Sequence, residues 1–198
     1  MKFFKENSYD IVKLFINQMG ITIFSLVLYT AVGFIENDSL NLKLKVVLSV
    51  FATLFYFALL YTACWDFGAK DKIRIDGGKY SASIFKGMLM SLVSSIPTLV
   101  IAAACFISML AHVTSGSEAA YSVFAILNLL LRFGSSMFLG VLQGVFSWLS
   151  YDADLKFLWE SFGYFVMPIF TALVCHVGYL LGRREFKILS VFSGKTKK

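Results

Sequence analysis

Apolar residues fall in long blocks along this chain, without the strict alternation of a half-buried strand. Four blocks, at about 14–34, 46–65, 87–111 and 159–182, each hold about twenty or more mainly apolar residues. At about 1.5 Å rise per residue, such a helix crosses a hydrocarbon core of roughly 30 Å. The pattern therefore predicts four transmembrane helices. The first block follows a basic start, Met1-Lys2-Phe3-Phe4-Lys5, as a signal peptide would. Its length, about 21 residues, exceeds the 7–15 apolar residues of such a leader and reads as a span. A fifth block, 119–150, is too long for one ordinary crossing and barely enough for two.

One formal charge, Arg132, interrupts the 33 residues between Glu118 and Asp152. An isolated guanidinium at bilayer depth costs at least about 2.5 kcal/mol, so it must find a partner, reach an interface or mark a helix break. The run Arg132-Phe133-Gly134-Ser135-Ser136 suits a reversal, with helices expected at 117–133 and 136–152. Charge bias supports the reversal. If the block enters and returns on one side, fourteen lysines and arginines gather on the side of the N-terminus and three, Lys43, Lys45 and Lys156, on the other. A single crossing leaves nine against eight, which is no bias. Because basic residues favour cytoplasmic loops, the returning pair is preferred. One pattern opposes it: on a continuous helix Asn128, Arg132, Ser135, Ser136, Gln143 and Ser147 form a polar stripe within about 120° of arc. Each half of a hairpin can also turn its polar residues inward.

The expected fold is thus an all-α integral membrane protein, a single domain over 1–198. It is a bundle of about six transmembrane segments: four long spans plus a helical hairpin or re-entrant pair at 117–152. Both termini are expected in the cytoplasm, with a cytoplasmic loop at 66–83 and a basic tail at 183–198. The plasma membrane is the expected location. Composition agrees, since 58% of residues are hydrophobic, only 15% are charged and the mean hydropathy is +0.75, where soluble domains run about 25% charged. Pro97 and Pro168 sit inside apolar blocks, where proline kinks a membrane helix without ending it. Cys64, Cys105 and Cys175 also lie inside apolar blocks and suggest packing, not disulfides or zinc. The net charge of +6 is dispersed among the loops. That pattern points to a bilayer with anionic headgroups as partner, and not to nucleic acid.

Four residues at depth are candidate ligand contacts: Arg132, Asn128 one turn before it, His176 and Gln143. Intramembrane charges often mark solute sites, though Arg132 could equally anchor in headgroups or pair with a carboxylate, for which Asp66 is the expected candidate. His176 lies beside the face shared by Thr171, Cys175 and Tyr179, and is expected to be a neutral residue hydrogen-bonded across helices. Asn17 and Gln18 read as interhelical glue. Gly140-xxx-Gly144 and Gly178-xxx-Gly182 predict close helix packing, within the chain or between copies. The segment from Asp66 to Tyr80 mixes both charge signs with isoleucines. Asp66, Lys70, Lys72, Arg74 and Lys79 are its candidate contacts to lipid or a partner.

These features predict a small polytopic membrane protein, a solute-binding or transport component with a polar cavity near Arg132. The alternative is a non-catalytic scaffold or accessory subunit that docks a partner through 66–80, either another membrane subunit or a cytoplasmic ATPase. No enzyme activity is expected, because no paired acids, metal motif or serine with a base occurs at depth. No cofactor or metal is expected either. Gly194-Lys195-Thr196 mimics a phosphate loop but lacks its upstream glycine.

Overall fold

A computed structural model of the chain describes residues 2–33, 38–78, 83–146 and 153–186. They form seven helices: α1 (Lys2–Gly33), α2 (Asp38–Asp76), α3 (Lys86–Ser94), α4 (Ile96–Ser115), α5 (Glu118–Gly134), α6 (Ser136–Phe146) and α7 (Ala153–Arg183). No strand occurs among the described residues. Helices α1, α2, α4 and α7 contain segments long and apolar enough to cross a membrane, and α5 with α6 makes a fifth if the bent pair counts as one span. Large apolar side chains such as Ile16, Ile23, Val27, Val100, Ile107 and Ile126 face outward. In water that surface would be a severe liability; in lipid it is the solvated face.

The expected loop at 66–83 is corrected in its first half, because α2 continues as helix through Asp76. No glycine pair or proline interrupts it before Gly77-Gly78, where Gly78 takes a positive φ of 69°. Phe67, Gly68 and Asp71 turn inward on this extension while Asp66, Lys70, Ile73 and Arg74 turn outward. The charges that suggested a connector are one face of a helix. Lys79 and the rest of 79–82 lie outside the described residues.

The expected span at 87–111 is divided into α3 and α4 at Ser95. Pro97 has no N–H to give the carbonyl of Val93, so the ladder loses a bond there. Pro168 lies within the continuous α7, close to where Thr171 returns its hydroxyl to the Pro168 carbonyl at 2.8 Å.

The fifth block is not one straight helix: α5 and α6 are bent by 116° at Ser135. Its boundaries at Glu118 and Gly134 lie within a residue of those expected, and Ser117 caps α5 by accepting the Ala120 N–H at 3.3 Å. The second half is described only through Phe146; the expected remainder to Asp152 falls outside the described residues. The tip is held by hydroxyls. Thr22 donates to the Gly134 carbonyl at 3.2 Å, Ser136 donates to the Thr22 carbonyl at 2.7 Å, and Thr53 donates to the Met137 carbonyl at 3.0 Å, with Ser49 on the same oxygen. Irregular backbone is thereby enclosed by protein, as a membrane interior demands.

Glycines set the closest approaches. A Cβ at Gly178 would meet the Tyr61 backbone at 2.8 Å, and one at Gly182 would collide with the Trp65 carbonyl, so both lie where α7 crosses α2. Gly140 and Gly144 do the same for α6 against Lys45, Val46 and Ser49 of α2. Both small-residue motifs are therefore spent within the chain. Around these contacts Leu60, Cys64, Met90, Met109, Leu131, Tyr164 and Tyr179 form the buried core.

Candidate functional site: three buried polar clusters

Arg132 finds its partner in Glu160, not in Asp66. Its Nη2 lies 3.2 Å from Glu160 Oε2, its Nε donates to Asn128 Oδ1 at 3.1 Å, and its guanidinium carbon sits 6.0 Å from the Phe157 ring centroid. The Glu160 side chain is 4% exposed and that of Arg132 33%. The correction follows from depth. Thr22 and Ser49, which hold the hairpin tip, are each eleven residues from the neighbouring helix ends at Gly33 and Asp38, or about 16 Å. The tip thus lies about eleven residues along α1 and α2 from those ends, and Arg132 reaches back toward the start of α7. Asp66 is exposed on the α2 extension, far along that helix from Ser49.

A second ion pair was missed by sequence reasoning. Lys86 Nζ lies 2.7 Å from Asp71 Oδ2, with the two side chains 4% and 3% exposed. Tyr179 donates its hydroxyl to the same oxygen at 2.9 Å, and Arg74 lies 3.8 Å from Oδ1. These residues come from α3, α2 and α7. Gly68 and Gly87 let the backbones close around them, since a Cβ at either would run into α7 at Tyr179 or Cys175. A lysine and an aspartate withdrawn from water require such a partner, and each alone would leave an uncompensated charge. The available signal was periodicity: Phe67, Asp71 and Ile75 share one face if the α2 pattern simply continues.

Between the two pairs lies a small cavity of about 10 Å³. Its polar lining comes from Gln18, Tyr56, Ser95, Thr98, Ser135, Tyr164 and Thr171, closed by Phe138, Met167 and Pro168. Gln18 donates its amide N–H to Thr98 at 3.2 Å, the interhelical contact expected of it. The Gln18 Oε1, Ser135 Oγ and Tyr164 hydroxyl are buried with no hydrogen-bond partner in the protein. The cavity sits at the helix breaks at Ser95 and Ser135 and beside Pro168 of the continuous α7.

The four candidate ligand residues are not brought together, and none lines this cavity. Arg132 and Asn128 bond to each other, whereas Gln143 accepts the Tyr29 hydroxyl at 2.5 Å. His176 stacks on Phe85 with ring centroids 5.4 Å apart, and its Nδ1 has no partner in place of the expected cross-helix bond. Among the extension residues, Lys72 pairs with Asp76 at 2.9 Å and Arg74 approaches Asp71, while Asp66 and Lys70 are exposed. At the far end of the bundle His112 lies 3.7 Å from Asp154, with its Nδ1 3.1 Å from the Ser117 carbonyl oxygen. Among the described residues no group of three or more His, Cys, Asp or Glu could hold a metal ion. Comparison with protein families, with curated proteins and with solved structures finds no match to this chain.

Proposed function

We propose that this protein is a non-catalytic membrane scaffold or accessory subunit, lying in the cell membrane with both termini in the cytoplasm and docking a partner through the end of α2. One observation carries the reading: the charged groups at depth are held by neighbouring polar side chains. Arg132 holds Glu160 and Asn128, Lys86 holds Asp71, and Gln143 holds Tyr29. A solute would have to displace a bond at each. The α2 extension instead offers an exposed surface, with Asp66, Lys70 and Arg74 around Ile73, which is 71% exposed. Anchored from behind by the buried Asp71, that face is of mixed charge. It fits a cytoplasmic partner of complementary pattern or a sister membrane subunit at the headgroup level.

The topology rests on charge. Lys5, Lys13, Lys70, Lys72, Arg74, Lys86, Arg183 and Arg184 share the end that holds the Asp71 pair, against Lys43, Lys45 and Lys156 at the other.

The test is a photocrosslinking residue at position 73 in living cells, with position 100 as a lipid-facing control. A discrete protein adduct is expected at 73 alone, lost when Lys70 and Arg74 are both changed to glutamate. Adducts to lipid only at both positions would refute the docking role. Transport remains the second reading, favoured by the unpartnered polar atoms beside broken helices. Its weakness is size, because small-molecule sites occupy roughly 300 Å³ or more.

A further inference from the structure

We propose that the cavity between Gln18, Ser135 and Tyr164 is a binding site for a single water molecule, which bridges α1, α7 and the break between α5 and α6. Three polar groups point to it, each more than nine-tenths buried: Gln18 at 4% exposure, Ser135 at 0% and Tyr164 at 2%. None has a hydrogen-bond partner in the protein for the atom concerned. A buried polar atom without a partner costs about 1–3 kcal/mol, so three around one space are a strong demand for a shared ligand. The volume, about 10 Å³, is about the minimum that holds one water and is too small for a larger solute.

The chemistry of the lining selects the ligand further. Gln18 Oε1 can only accept, so the ligand must donate; the Ser135 and Tyr164 hydroxyls can each give or take a proton. Two neighbouring hydroxyls are already committed, Ser95 to the Ser91 carbonyl at 3.0 Å and Thr171 to the Pro168 carbonyl at 2.8 Å. A cation would meet oxygens but no carboxylate in the lining, and its desolvation would go uncompensated. Water, neutral and able to donate twice, meets the demand. It joins the break in the hairpin at Ser135 to the proline-bearing α7, elements that are distant in sequence.

The sign of a stability change decides the matter. Tyr164→Phe and Ser135→Ala each delete one hydroxyl that has no other partner. If water fills the site, each variant in detergent should melt lower, by about 2–4 °C for one lost hydrogen bond. If the cavity is dry, removing an unsatisfied polar atom should leave the melting point unchanged or raise it, and that result overturns the proposal. Radiolytic hydroxyl-radical labelling of the folded wild type supplies a readout that needs no mutation. Bound water should make Tyr164, 2% exposed, label several-fold faster than Tyr179, which is 0% exposed and bonded to Asp71. Equal labelling of the two tyrosines also overturns it.

Discussion

Lys86 and Asp71 show how a buried charge pair must be judged. The pair is not evidence of net stability, because desolvation offsets the attraction, yet breaking it is costly. Lys86→Met alone should destabilise the protein by about 3–5 kcal/mol, since Asp71 keeps only Tyr179 and a distant Arg74. The double variant Lys86→Met with Asp71→Leu should recover most of that loss, as no charge is then stranded. Unfolding titrated with SDS would measure both, and equal losses in the single and double variants would refute the coupling. At this scale the sequence was partly legible. Arg132 advertised its need for a partner by standing alone in an apolar block, and Asn128 was visible one turn away. Glu160 was not, because nothing in the local pattern near the start of α7 marks it as a buried partner 28 residues from Arg132.

Among the elements, α7 against α2 is the contact that glycine makes possible. Gly182→Val should force its side chain into the Trp65 carbonyl and lower stability by at least about 1–3 kcal/mol. Gly20→Ala meets nothing within 4 Å and should be neutral or slightly stabilising in the same unfolding assay. A Gly182→Val protein as stable as wild type would mean that α7 and α2 pack differently. The spacing of these glycines was readable, but the partner was not, since a small-residue motif carries no address. The bounds of α5 and the start of α6 were readable within a residue because glycine and serine punctuate the backbone locally. The α2 extension was misread for a physical reason: a helix with one buried and one charged face, passing from lipid to water, changes composition without changing conformation.

For the molecule as a whole, the 116° bend between α5 and α6 is the feature on which topology turns. If the pair enters and leaves on one side, a reporter fused after Lys198 should be active only in the cytoplasm, and a cysteine introduced at the Gly116 turn should react with an impermeant thiol reagent from outside. A C-terminus reporting from outside would refute the arrangement. Hydropathy alone determined that the chain is helical, apolar on its outward faces and built around four long helices, because hydrophobic block length is a one-dimensional property that the bilayer reads directly. What tertiary structure decided is which polar groups meet. Arg132 with Glu160, Lys86 with Asp71 and Tyr179, and the ring of Gln18, Ser135 and Tyr164 join residues far apart in sequence. Such pairings depend on helix depth and rotation, which packing fixes and no local pattern encodes.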